Sequence, residues 1–217
     1  MKDSAKVARC IEAMQKAVQV PVTVKCRIGI DHDDSFEFFL NFIKTVHEAG
    51  CNTFIIHARK AWLKGLSPKE NRDIPPLNYE RVLELKKLMP NLNISINGGI
   101  KTLEHAKELL TQLDGVMIGR AAYENPWMLK EADSLIYNTQ DPIWKNRKEL
   151  LTAYLPYVEQ ELSQGCPLTI ITRHLSSLFN GIPGSRKYRQ MLSEQAPKAK
   201  DGVELLQKAM AFVEEIG

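Results

Sequence analysis

Leu92-Asn93-Ile94-Ser95-Ile96-Asn97-Gly98-Gly99-Ile100, followed after one amphipathic stretch by Gly115-Val116-Met117-Ile118-Gly119, is the part of the sequence that decides the fold. Each run is short, built on Ile, Leu and Val, and closed by glycine, and the residues between them, Leu103 to Leu113, carry helical spacing. That order spells strand–helix–strand, with the two strands parallel. The unit repeats towards the N-terminus. Thr53-Phe54-Ile55-Ile56-His57 is another strand run, entered from a helix over Phe36 to Ala49 that Gly50 stops. Val20-Pro21-Val22-Thr23-Val24-Lys25 is the first, preceded by a helical stretch from Lys6 to Val18, and a helix from Tyr79 to Leu88 separates the second strand from the third. Apolar runs without polar alternation, separated by helices, predict a parallel sheet covered on both faces.

Four strands and four helices make half of a TIM (β/α)8 barrel, whose full form takes about 250 residues. The chain opens on a helix with no strand before it, and an isolated four-stranded sheet would leave two edges unpaired. The expectation is the C-terminal half of a TIM (β/α)8 barrel over residues 1–140, with the N-terminal half-barrel upstream of Met1. A small open sheet is the alternative. From Asp141 the strand signals stop. Helical patterns at Lys145 to Gln164, Leu168 to Phe179, Arg186 to Glu194 and Val203 to Ile216, broken at Gly165-Cys166-Pro167 and Gly181-Ile182-Pro183-Gly184, predict a small all-α helical-bundle domain over residues 141–217.

Among 217 residues, a net charge of +3 neither demands nor excludes a nucleic-acid partner, so any basic surface must be local. No apolar run approaches the roughly 20 residues that span a bilayer, and Lys2, Asp3, Lys6 and Arg9 interrupt any signal-peptide pattern. The expected location is the cytoplasm, with no membrane partner. Cys10, Cys26, Cys51 and Cys166 are scattered, without zinc-site spacing or a disulfide framework, so no metal is expected. Cys10 and Cys51 are expected to be structural.

Functional residues of a βα-barrel gather at the C-terminal ends of its strands. The four strands here end in Lys25, in His57-Ala58-Arg59, in Asn97-Gly98-Gly99 and in Gly119-Arg120. Glycines at the last two corners allow backbone N–H groups to approach a phosphate, with Arg120 adding charge. The plainer reading is that they only turn the chain into the next helix. Lys25 at a strand end can form a Schiff base, place a cation beside an electron-rich ring, or simply extend to solvent. His57 has the same position, as a ligand contact or as a hydrogen-bonded histidine of the barrel mouth.

Longer stretches then carry a resemblance. Val22-Thr23-Val24-Lys25-Cys26-Arg27-Ile28-Gly29-Ile30-Asp31 resembles the tRNA-dihydrouridine synthases, and the loop from His57 to Arg72, including Gly65-Leu66-Ser67-Pro68-Lys69-Glu70-Asn71-Arg72, resembles their A-type subfamily. Asn97-Gly98-Gly99-Ile100, Gly119-Arg120-Ala121-Ala122-Tyr123, Ile171-Thr172-Arg173-His174 and Gly181-Ile182-Pro183-Gly184-Ser185-Arg186 extend it along nearly the whole chain. The resemblance implies an FMN enzyme that uses NADPH to reduce the C5–C6 bond of D-loop uridines in tRNA, and that is a monomer when complete. It implies Lys25 beside the flavin ring, His57 as a flavin contact, and Asn97, Gly98, Gly99, Gly119 and Arg120 at the phosphate end. The cofactor carries the hydride chemistry, and the base must be extruded from the RNA stack. The family's proton donor is a cysteine on a loop after an earlier strand. No catalytic residue is therefore assigned in this chain: that cysteine is expected upstream of Met1, with Cys26 a weak substitute.

The loop after His57 gathers Arg59, Lys60, Lys64, Lys69 and Arg72, and the helical domain offers Arg186, Lys187 and Arg189. The resemblance implies that Lys69 with Arg72, and Arg186 with Arg189, dock the tRNA through its phosphates. A solvated basic face is the plainer alternative. Trp62 and Tyr188 can stack on bases or pack in a core. Two rival functions remain. One is a sugar-phosphate aldolase or isomerase barrel with Lys25 as Schiff-base lysine. The other is a non-catalytic tRNA-binding fragment.

Overall fold

The computed structural model describes residues 1–214, so the final two residues of the helix expected to reach Ile216 lie outside the described residues. The chain forms two compact units, residues 1–119 and 120–217.

The first unit runs α1 (Ser4–Ala17), β1 (Val24–Arg27), α2 (Phe36–Glu48), β2 (Thr53–His57), α3 (Tyr79–Leu88), β3 (Asn93–Asn97), α4 (Leu103–Leu110) and β4 (Gly115–Met117). All strands are parallel, in the order β1-β2-β3-β4. Helix starts sit where capping chemistry puts them: Asp3, Ser35, Asn78 and Thr102 each accept a backbone N–H of the first turn. β1 begins four residues later than expected. Pro21 lacks the N–H a ladder needs, and Val20 and Pro21 are exposed ahead of the sheet.

The sheet register explains which residues face the core. Val24, Phe54 and Ile94 pair along one row and Cys26, Ile56 and Ile96 along the next. These rows pack with Phe39, Ile43, Val46, Val82, Leu85 and Ala106 of α2, α3 and α4. The alternate rows point the other way: Lys25, Ile55, Ser95 and Gly115, then Arg27, His57, Asn97 and Met117. The expected cover on both faces is corrected here. The helices pack on one face, and the other face carries Arg27, His57 and Asn97 at the C-terminal ends of β1, β2 and β3, with Met117 at the end of β4.

The second unit comprises α5 (Arg120–Glu124), α6 (Ala132–Tyr137), α7 (Arg147–Ser163), α8 (Leu168–Leu175), α9 (Ser185–Gln195) and α10 (Gly202–Ala211). It holds no strand among its described residues. Its core joins Leu151, Leu155 and Val158 to Phe179, Tyr188 and Leu206. Tyr188 is fully buried, edge-on to Phe179 at 4.8 Å, and donates its hydroxyl to the Leu175 carbonyl at 3.2 Å. It is a core residue and not a stacking platform.

The boundary falls after Gly119, ahead of the expected break at residue 140. The cause is local. Tyr123 donates to the carbonyl of Arg173 at 3.2 Å, Ser177 donates to the carbonyl of Tyr123, and Asn180 donates to that of Glu124 at 2.8 Å. α5 is thereby fastened to the helices that follow it.

Candidate functional site

Residues separated by up to 72 positions in sequence meet at the C-terminal ends of β1, β2 and β3. The ladder places Arg27 beside His57 and His57 beside Asn97. Lys25 lies one pleat lower on the same face, and its Nζ donates to Asn97 Oδ1 at 3.1 Å. Asn97 in turn donates Nδ2 to the carbonyl of Met117 at 2.8 Å, which orients its amide so that the oxygen faces the lysine. These residues line a cavity of about 480 Å³, together with Arg72 and Cys26.

The cavity is strongly cationic. Lys25, Arg27 and Arg72 line it and no carboxylate does. Burial and then the neighbouring Arg27 guanidinium hold the Lys25 ammonium below the usual lysine range. Burial, Arg59 and Arg72 lower Arg27 in the same direction. Three cationic side chains gathered at one cavity suit an anionic or electron-rich ligand. Burial also pushes the Cys26 thiol up to about 12, so it stays protonated at neutral pH.

The glycine corner adjoins this cavity. Gly98 and Gly99 have φ of +116° and +70°, where L side chains rarely sit. A Cβ on Gly98 would stand 3.1 Å from the His57 ring, and one on Gly99 would strike Leu77. Tyr79 fixes the corner by donating its hydroxyl to the Gly98 carbonyl at 2.6 Å. At Gly119 a Cβ would meet no protein atom within 4 Å, so packing within the protein does not require glycine there. Arg120 begins α5, in the second unit.

The basic loop proves to be an ordered structure. Arg59 donates to the carbonyls of Asp73 and Pro75, which spends its guanidinium on the loop itself. Lys60 pairs with Asp34 at 2.7 Å and lies 4.5 Å from the Trp62 ring centre. Lys64, Lys69 and Arg72 are exposed. In the second unit Arg186 and Arg189 are exposed on α9, one turn apart, and Arg189 donates to Asn180 Oδ1 at 2.8 Å. Cys51 is buried as expected, whereas Cys10 is exposed on α1, which corrects its structural assignment.

The sequence model of the dihydrouridine synthase (Dus) family matches residues 1–215. The chain belongs to the dihydrouridine synthase family. It is 54% identical to the tRNA-dihydrouridine(20/20a) synthase of Yersinia pestis over 98% of this chain and 62% of that protein. It is likewise 54% identical to the synthase of that name from Pasteurella multocida, over 95% of this chain and 63% of that one, and 53% identical to that of Escherichia coli K12, over 98% and 62%. The chain thus spans somewhat under two thirds of the length of the curated relatives it matches. A monomeric dihydrodipicolinate synthase variant aligns at 15% identity with a TM-score of 0.42, covering 98% of this chain and 80% of that one, too low to bear on the fold.

Three residues of this family member's site were not singled out from the sequence. Arg27 donates Nη1 to the carbonyls of Lys60 and Asn71 at 2.9 and 2.8 Å. Asn71 is buried within the loop, and Tyr79 holds the glycine corner. Only Arg27 carried a usable signal: two basic residues at i and i+2 share one face of a strand.

Proposed function

We propose that the chain is the flavin- and RNA-binding part of a tRNA-dihydrouridine synthase, reducing uridine to 5,6-dihydrouridine in the tRNA D-loop with NADPH as reductant. The target uridines we assign are those in its relatives' names, positions 20 and 20a. Residues 1–119 would be the second half of a TIM barrel and the helical unit its tRNA-binding domain, working in the cytoplasm.

The observation that carries this reading is the convergence of Lys25, His57 and Asn97 on a cationic cavity beside a positive-φ glycine pair. These residues fit FMN. Lys25, held by Asn97, would place its ammonium against the isoalloxazine and hold negative charge there. His57 would contact the ring. The N–H groups of Gly98, Gly99 and Gly119 would meet the phosphate, with Arg120 next in the chain supplying charge. The open space at Gly119 supports this, because a glycine not required by the protein's own packing suits a ligand's close approach. When bound, FMN supplies hydride transfer. The protein's part is to keep the cavity cationic and hold the ring against Lys25 and His57. Cys26, with its thiol near 12, is too weak an acid to be assigned the proton for uridine C5. No proton donor is assigned among the described residues.

Lys69 with Arg72, and Arg186 with Arg189, would dock the RNA by its phosphates. The test is mass spectrometry of a tRNA transcript incubated with the protein and NADPH. A gain of two hydrogens at the D-loop is expected. Binding without that gain would favour a tRNA-binding fragment without turnover.

A further inference from the structure

Asn71 stands between the two loop cations and is 8% exposed, in a loop where almost every neighbour is open to solvent. Its side chain uses both ends. Oδ1 accepts the Trp62 N–H at 2.7 Å, and Nδ2 donates to the carbonyls of Trp62 at 2.8 Å and Leu66 at 3.3 Å. The carboxamide thus closes the loop on itself across nine residues, as a strand partner would. The backbone carbonyl of Asn71 accepts Arg27 Nη1 at 2.8 Å, and the same nitrogen reaches the Lys60 carbonyl. The turn is therefore tied to the strand that carries Lys25. A reciprocal cap sets its entry: Ser67 N–H donates to Glu70 Oε2 at 2.7 Å and Glu70 N–H to Ser67 Oγ at 3.3 Å.

Lys69 and Arg72 flank this clasp on the 3₁₀ turn Glu70–Arg72 and its preceding residue. Long cationic side chains on a floppy segment lose much of their binding energy to ordering, and a fixed backbone removes part of that cost. We propose that Asn71 is a positioning residue, whose buried carboxamide presents Lys69 and Arg72 at a set spacing to successive phosphates of an RNA. This rests on the reading that those two cations dock tRNA, and it adds the residue that makes their docking effective.

The test is tRNA binding by the full chain across a salt series, for Asn71→Ala, for Lys69→Ala/Arg72→Ala, and for the triple variant. Asn71→Ala removes no charge. Even so, it should weaken binding roughly five- to tenfold and lower the slope of log affinity against log salt by about one, as if a phosphate contact were lost. In the Lys69→Ala/Arg72→Ala background it should have no further effect. A similar weakening in both backgrounds, or an unchanged salt slope, would overturn the proposal and leave the docking reading intact. Full affinity in Lys69→Ala/Arg72→Ala would overturn the docking reading, and this one with it. Should Asn71→Ala fail to fold, Glu70→Ala on the exposed rim tests the same turn. It should weaken binding although it removes a negative charge, and tighter binding would count against the proposal.

Discussion

Gly98→Ala probes the corner where fold and site meet. Gly98 sits at φ +116°, outside even the left-handed helical region that other residues occasionally adopt, so the backbone alone costs about 1–3 kcal/mol. The added Cβ would press at 3.1 Å on the His57 ring and at 3.2 Å on Leu77, and the ring is buried, which limits its room to shift. A total of about 2–4 kcal/mol follows. For a unit of this size, roughly 3–6 °C of melting temperature per kcal/mol gives a loss of about 6–24 °C. Gly99→Ala differs in kind. Its φ of +70° is milder, and its clash is with the far end of Leu77, a side chain that is itself 36% exposed. Leu77→Ala should therefore rescue part of the Gly99→Ala loss and little of the Gly98→Ala loss. Calorimetry of Gly98→Ala and Gly99→Ala, each with and without Leu77→Ala, measures both. A Gly98→Ala protein melting within about 2 °C of the parent would refute the claim that this corner is conformationally restricted.

Other outcomes follow from single contacts. Asn97→Ala removes the acceptor from Lys25 and the donor from Met117, and should weaken flavin affinity by about 1–2 kcal/mol, read by fluorescence titration. Asp114 accepts the Ile94 N–H at 2.8 Å and pairs with Lys86 at 2.6 Å; although burial opposes it, these partners hold its carboxyl below the usual range. A depressed folded pKa stabilises the fold above the unfolded carboxylate's value, and the gain disappears as pH falls through the folded value. The melting-temperature gap between parent and Asp114→Asn should accordingly be open at pH 7 and close under acid; a gap that widens in acid would contradict the assignment. With iodoacetamide at pH 8, exposed Cys10 should alkylate first. Cys26, its thiol near 12, and buried Cys51 should lag far behind in peptide mapping.

Much of this was legible because strands and helices here obey local rules. Thr53–His57 and Tyr79–Leu88 stand where the apolar run and the helical spacing put them. The row of strand-end residues followed from the barrel's habit of gathering function at one end. The failures share a cause: contacts that join distant residues carry no periodic signal. Pro21 delayed β1, and α5 joined the helical unit through side chains some fifty residues away. Asn71 read as one more polar loop residue, although its burial decides the loop. Arg59 and Lys60 counted as RNA-facing cations until their partners, the Asp73 and Pro75 carbonyls and Asp34, showed them turned inward.

The central claim is that the cavity lined by Lys25, His57 and Asn97 takes a flavin. Its most direct test is titration of the purified protein with FMN, followed by flavin fluorescence, for the parent and Lys25→Met. The account predicts saturable one-to-one binding in the parent that weakens at least tenfold in Lys25→Met. It would be contradicted by a parent that leaves FMN fluorescence untouched while borohydride traps an aldehyde phosphate on Lys25, the signature of a Schiff-base barrel.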